Sequence, residues 1–191
     1  MNIVIDIGHA NGTGARGNGY EEHALCAIVG DRIKAAIEKH GHKVHLIDFP
    51  EQTNKEDLRR TINKANSLKQ ISFGISLHMD ASTNSKAKGG HACYVSEKGK
   101  ILAESIASPL CETMPGRAVQ VVKRTDLAML NQTRAAWTLL ELGFITSKED
   151  IKKLVDDPST AKDELKPLLT ALEKGILACI ERAAAWNTRT A

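Results

Sequence analysis

Aromatic residues are scarce: Phe, Trp and Tyr make up 4% of the 191 positions, which leaves little material for a surface that stacks on bases. No apolar run is long enough to cross a bilayer, so no membrane insertion is expected. The N-terminus lacks a basic segment followed by an apolar stretch. Met1-Asn2 leads straight into strand-like residues, so the expectation is synthesis in the cytoplasm without a secretory signal. The four cysteines, Cys26, Cys93, Cys111 and Cys179, form no C-x-x-C pair and are expected as reduced, mostly buried thiols. A strong charge bias is missing too. The net charge of +3 is too weak to argue for a nucleic-acid partner, yet does not oppose a polyanionic one. With no internal repeat, low-complexity tract or linker, one domain is the economical reading.

What is present is ordinary for a globular chain, 42% hydrophobic and 26% charged, and it is organised around its opening stretch. Ile3-Val4-Ile5-Asp6-Ile7 reads as a buried strand that stops at Gly8 and delivers His9 into a glycine-rich loop, residues 10–19. Glu21-Glu22 then open a helix with Leu25, Ile28, Val29, Ile33 and Ile37 at helical spacing, closed by Gly41. Further strands are expected at 44–47, 71–77, 92–95 and 138–140, with a short one at 119–122. Further helices are expected at 55–68, 100–114 (distorted or shortened by Pro109), 148–155 and 160–186, with a restart at Pro167. This alternation predicts an α/β, single-domain architecture: a mostly parallel twisted sheet with helices on both faces, and a frayed tail over 187–191.

Three expected strands end in a group able to bind metal or move protons: His9, His78 and Glu141. Parallel strands present their carboxyl ends on one side, so these groups can converge, and a carboxylate at the start of the first helix lies on that side. Glu21 and Glu22 both occupy that position. Two histidines and a carboxylate match a hydrolytic zinc site, in which zinc makes hydroxide available near neutral pH. A further carboxylate can take the proton during attack and return it to a leaving amine. Glu141, in the otherwise apolar run 139–142, is placed for that role; a carboxylate there is costly unless paired or working.

The ordered motifs Val4-Ile5-Asp6-Ile7-Gly8-His9, Gly14 to Gly19 with Glu22, Ile75-Ser76-Leu77-His78 and Leu139-Leu140-Glu141-Leu142-Gly143-Phe144-Ile145 resemble the zinc-dependent N-acetylmuramoyl-L-alanine amidases of the Amidase_3 type. The resemblance covers essentially the whole chain, as a catalytic domain over residues 1–186. It implies a hydrolase that cuts the amide between the lactyl group of N-acetylmuramic acid and the L-alanine of the peptidoglycan stem. It also implies zinc on His9, Glu22 and His78, with Glu22 preferred over Glu21 by its distance from Gly19, and Glu141 as catalytic acid/base. Two positions depart from the family pattern. Asp80 stands where Asn is common two residues after the second histidine, and residues 134–137 lack the proline common before the glutamate.

Other candidates carry less. His40, His42 and His45 belong to the opposite end of the sheet, His23 should point away from Glu22, and His91 is expected at the surface before a strand. Gly12, Gly14 and Gly17 meet a G-x-G-x-x-G order, but the acidic helix start that follows would repel phosphate. The expected setting is the bacterial cell wall, reached by a phage or prophage lysin or by a remodelling enzyme. The rivals are a non-catalytic wall-binding protein on the same scaffold and a zinc peptidase of other specificity.

Overall fold

The computed structural model describes residues 1–156 and 162–188. A six-stranded sheet runs through the molecule in the order β4 (Lys43–Ile47), β1 (Asn2–Ile7), β5 (Phe73–Asp80), β8 (Trp137–Phe144), β6 (His91–Tyr94), β7 (Val121–Lys123). The first four run parallel; β6 lies antiparallel to β8, and β7 parallel to β6. The sheet is therefore mixed, parallel at its centre, with helices on both faces. A short hairpin pairs β2 (Arg16–Gly17), inside the expected loop over 10–19, with β3 (Tyr20–Glu21), which takes in the Glu21 expected to open the first helix.

Strand alternation sorts the core. Ile3, Ile5 and Ile7 of β1, Ile75 and Leu77 of β5, and Leu140 and Leu142 of β8 point to one face. There they meet α1 (Glu22–Lys39), α3 (Glu97–Thr113) and α6 (Lys166–Thr188) through side chains such as Val29, Ile33, Leu102, Ile106, Leu172 and Ile176. The other face is thinner. Val4, Trp137 and Leu139 pack there against Ile62 and Ala65 of α2 (Asn54–Ser67) and Met129 and Leu130 of α4 (Ala128–Asn131).

Local chemistry fixes the helix starts. Thr53 caps α2 by accepting the N–H of Glu56 at 3.3 Å, and Ser96 caps α3 by accepting that of Gly99 at 3.1 Å. Helix α1 ends as expected, with Gly41 in the left-handed region at φ +78°. The cysteines are all buried and free.

Several boundaries differ from expectation. Helix α3 starts three residues early and passes through Pro109 without ending; the Thr113 hydroxyl donates to the Pro109 carbonyl at 3.2 Å. Helix α5 (Lys148–Ile151) is short, and α6 begins at Lys166, so that Pro167 falls in its first turn, where a missing N–H costs nothing. Helix α6 also continues through Thr188, beyond the expected end at Trp186; residues 160 and 161 at the expected helix start and tail residues 189–191 lie outside the described ones. The larger difference concerns β5 and β8. Both run past the expected stops, so His78 and Glu141 lie within strands, directly opposite each other in the parallel register.

Candidate metal centre

The carboxyl ends of β1 and β5 and the first turn of α1 meet at one rim. His9 follows β1 with φ +65°, a conformation a non-glycine residue holds only where its surroundings enforce it. Its Nδ1 lies 2.8 Å from Asn54 Oδ1. An amide oxygen can only accept, so Nδ1 carries the hydrogen and Nε2 is left with its lone pair turned inward. That Nε2 lies 3.4 Å from Glu22 Oε1, and His78 Nδ1 lies 3.0 Å from the same oxygen. The two imidazoles meet edge-on with ring centres 5.0 Å apart. His9, Glu22 and His78 can each offer one ligand atom, all within 4.8 Å of one another. Glu22 is the expected residue of its pair. Glu21 instead pairs with Arg16 at 2.7 Å on the exposed hairpin.

The backbone holds the carboxylate in place. Glu22 Oε2 accepts the N–H of Ala15 at 2.7 Å, and Oε1 accepts that of Met79 at 2.9 Å. Gly14, at φ +79°, passes so close that a Cβ there would lie 2.8 Å from the His9 ring and 2.9 Å from Glu22 Oε2. A side chain at that position would push the cluster apart.

The electrostatics follow from this geometry. Burial penalises the charge on Glu22, but in the metal-free protein the hydrogen bonds that His78 and His9 donate to it in their protonated forms outweigh burial and hold the carboxyl well below the usual range. His9 is raised above its ordinary value by its contact with Glu22, against the opposing effect of burial. His78 is raised as well: burial works against its charge, and Glu22 and Glu141 outweigh burial. A buried anion held between two imidazoles, one with its outer nitrogen tied to an amide oxygen, is a donor set that suits zinc.

Glu141 stands one strand over. Burial raises its carboxyl, the charge of Glu22 adds to this, and His78 and Arg117 oppose it. Its Oε2 is buried with no hydrogen-bond partner. Across the other edge of β8 it faces His91. His91 is not a surface residue before a strand, as expected, but a buried member of β6; alternation points it at the thin face beside Glu141, with Nδ1 3.5 Å from Asp80 Oδ2. Asp80 pairs with Arg117, whose guanidinium lies 4.6 Å over the Phe144 ring.

His23 does point away from Glu22, reaching Asp48 at 2.9 Å. His40 and His42 sit far from the rim, bonded to Glu173 and to the N-terminal amine. The residues the sequence reading missed are Asn54, Asp6 with its Ser76 partner at 2.5 Å, and Arg117. The T-x-x-E capping pattern at 53–56 marked where α2 begins and so could have pointed to Asn54; nothing local pointed to Arg117.

The arrangement can bind one divalent cation and hold one raised carboxylic acid beside it, a hydrolytic layout. Comparison with known proteins agrees. A family model described as N-acetylmuramoyl-L-alanine amidase matches residues 3–166. The chain is 28% identical over 152 residues to the "Probable cell wall amidase LytH" of Staphylococcus saprophyticus, covering 78% of this chain; it spans about half (49%) of that relative's length. Among solved structures, the catalytic domain of the CD27L endolysin targeting Clostridia difficile superposes with a TM-score of 0.79 at 27% identity, over 93% of this chain and 97% of that one. N-acetylmuramoyl-L-alanine amidase AmiC2 of Nostoc punctiforme shares the fold, with a TM-score of 0.75 at 21% identity, over 95% and 97%.

Proposed function

The chain belongs to the Amidase_3 family of N-acetylmuramoyl-L-alanine amidases, and from that membership we propose that it is a zinc hydrolase cutting the amide between N-acetylmuramic acid and L-alanine in peptidoglycan. The observation that carries this reading is the His9–Glu22–His78 cluster with Glu141 opposite His78 in register. His9, Glu22 and His78 would hold the zinc. Bound there, zinc supplies Lewis acidity toward a carbonyl oxygen and toward water. Asn54 fixes the ring and tautomer of His9 so that Nε2 faces inward.

Glu141 is the proton carrier. Its carboxylate accepts a proton from the attacking water and donates it to the amine as the amide C–N bond breaks, leaving a carboxylate on the lactyl group and a free L-alanine amine. Burial suits it to the first half, because a raised carboxyl takes up the proton more readily than an exposed one does. The setting that fits is a wall lysin or a wall-remodelling enzyme.

The test is release of free stem peptides from purified cell wall by the zinc-loaded protein. Release should stop with a chelator and return with added zinc. Wall binding without release, with zinc bound, would instead identify a non-cutting wall-binding protein.

A further inference from the structure

On the β1–α2 side of the triad, across β5 from Glu141, a cavity of about 100 Å³ opens against His9 and His78. Its floor holds Asp57 and Thr61, four residues apart on one face of α2. Both are buried, at 4% and 1% exposure, and Asp57 Oδ1 and Thr61 Oγ1 have no hydrogen-bond partner. Asp6 lies on the same wall, and Leu58 and Met129 supply apolar surface. Unpartnered buried oxygens are rare in folded proteins, and two on one small cavity beside a reactive centre point to a ligand.

Three classes of ligand can be weighed. A bare cation needs six or so oxygens around it, and the apolar walls do not supply them. A carboxylate would lie against Asp57 and Asp6; Asp57 is already pushed up to about 6 by burial and by Asp6 and Asp48, so another anion there is uncompensated. An uncharged amide satisfies both features, its N–H donating to Asp57 Oδ1 or Thr61 Oγ1 and its carbon skeleton against Leu58 and Met129.

We propose that this cavity is a specificity subsite that accepts a small uncharged amide group of the substrate and rejects a carboxylate in the same place. The inference rests on the reading of the chain as a peptidoglycan amidase. Two parts of that polymer offer such a group near the scissile bond. One is the second stem residue, a glutamate type whose α-carboxyl is amidated in some walls and free in others, two Cα steps or about 7 Å away. The other is the N-acetyl group of the sugar.

The experiment measures calorimetric affinity for the zinc-loaded Glu141→Gln protein, which should bind without cutting, with matched synthetic muropeptides: carboxamide against carboxylate at the second stem residue, and N-acetyl against free amine on the sugar; cleavage is read separately with the parent protein. The carboxamide form should bind at least about tenfold tighter than the carboxylate form. In Thr61→Val, which keeps the volume and removes the hydroxyl, that preference should shrink roughly fivefold, while an unchanged or higher melting temperature shows that the variant folds. Discrimination confined to the sugar pair, and reduced by the same substitution, would support the subsite with the N-acetyl group as its occupant. Equal affinity within both pairs, unchanged in Thr61→Val and in Asp57→Asn, would overturn the proposal and leave the cavity to ordered water. Binding decides the subsite whether or not the chain cuts; cleavage of the same ligands decides the amidase reading separately.

Discussion

The two faces of the central sheet do different work. On the side of α1, α3 and α6, the strands contribute isoleucine and leucine, and the interior is dry. On the side of α2 and α4, the alternate positions of the same strands contribute Asp6, Ser76, His78, Glu141 and His91 between smaller apolar patches. Among the described residues, the unpartnered buried oxygens of Glu141, Asp57 and Thr61 belong to the thin side, in β8 and α2. A parallel sheet buried on both faces needs apolar cover on both. Here the thick side supplies most of it, which lets the thin side keep polar groups near an open rim. A one-residue shift in strand register would exchange the two sets, so the dry core also fixes the orientation of the reactive groups.

The comparison is broken most severely on the thin side. Glu141→Gln preserves the volume and removes the titrating oxygen. It should retain zinc near one equivalent by metal analysis while amide cleavage falls roughly 10²- to 10⁴-fold. His78→Ala should lose both the metal and the activity. If Glu141→Gln also emptied the site, Glu141 would be a ligand and the division of labour proposed here would be wrong.

The dry side should respond in the opposite sense. Leu102 is fully buried between α3 and its neighbours. Leu102→Ala should cost about 3 kcal/mol in unfolding free energy, measured by denaturant titration. Cleavage per folded molecule should stay within about twofold of the parent, because the cavity opens in the apolar core around α3 and not among the reacting groups. A large loss of turnover in the folded variant would show that the two faces are not separable.

Much of this was legible in the sequence because both the pattern and the chemistry were local. The 3.6-residue spacing of Leu25, Val29, Ile33 and Ile37 gave α1, and the apolar runs ending near His9 and His78 gave β1 and β5. The convergence of His9, Glu22 and His78 was readable because each sits at or near an element end at the carboxyl rim. What was not legible depended on contacts distant in sequence. His91 reads as a loop residue until β6 pairs antiparallel with β8 and buries it opposite Glu141. Strand β8 extends past Glu141 because Leu142 joins the core and Phe144 is buried beneath the Arg117 guanidinium, which the glycine at 143 disguises. Asn54 becomes a partner of His9 only when α2 is docked, 45 positions away. Pro109, expected to distort or shorten its helix, leaves α3 running to Thr113 because α3 is held along its length by α6 and the sheet, and tertiary packing outweighs local preference.

The smallest expected effect sharpens the contrast through pH. In the metal-free protein His9 and His78 are raised above the ordinary 6.5, His9 chiefly by its contact with Glu22, His78 by Glu22 and Glu141 against burial. The folded state therefore holds more protons than the unfolded chain above 6.5. The stability this contributes is fully present below that value and is lost as pH rises through the folded values. Asp57, pushed up to about 6 mainly by burial, acts in the same direction at lower pH, since charging it costs the folded state alone. Glu22 acts oppositely, but its depressed carboxyl titrates only in acid, so its contribution is constant across this window. His42, His45 and His91 are held below 6.5, chiefly by burial, and act oppositely around that value. Above it the His9 and His78 contribution remains, so the metal-free melting temperature should fall between pH 7 and pH 8. With saturating zinc the slope should reverse, because protons and metal compete for the same imidazoles. Leu102→Ala should shift both curves downward in parallel without changing either slope, since Leu102 packs in the apolar cluster of α3, α6 and the sheet, while His78 and Asp57 lie toward the thin side and His9 at the rim. A metal-free curve that stayed flat or rose over this range would mean that the imidazoles are not coupled to Glu22 as the rim geometry requires.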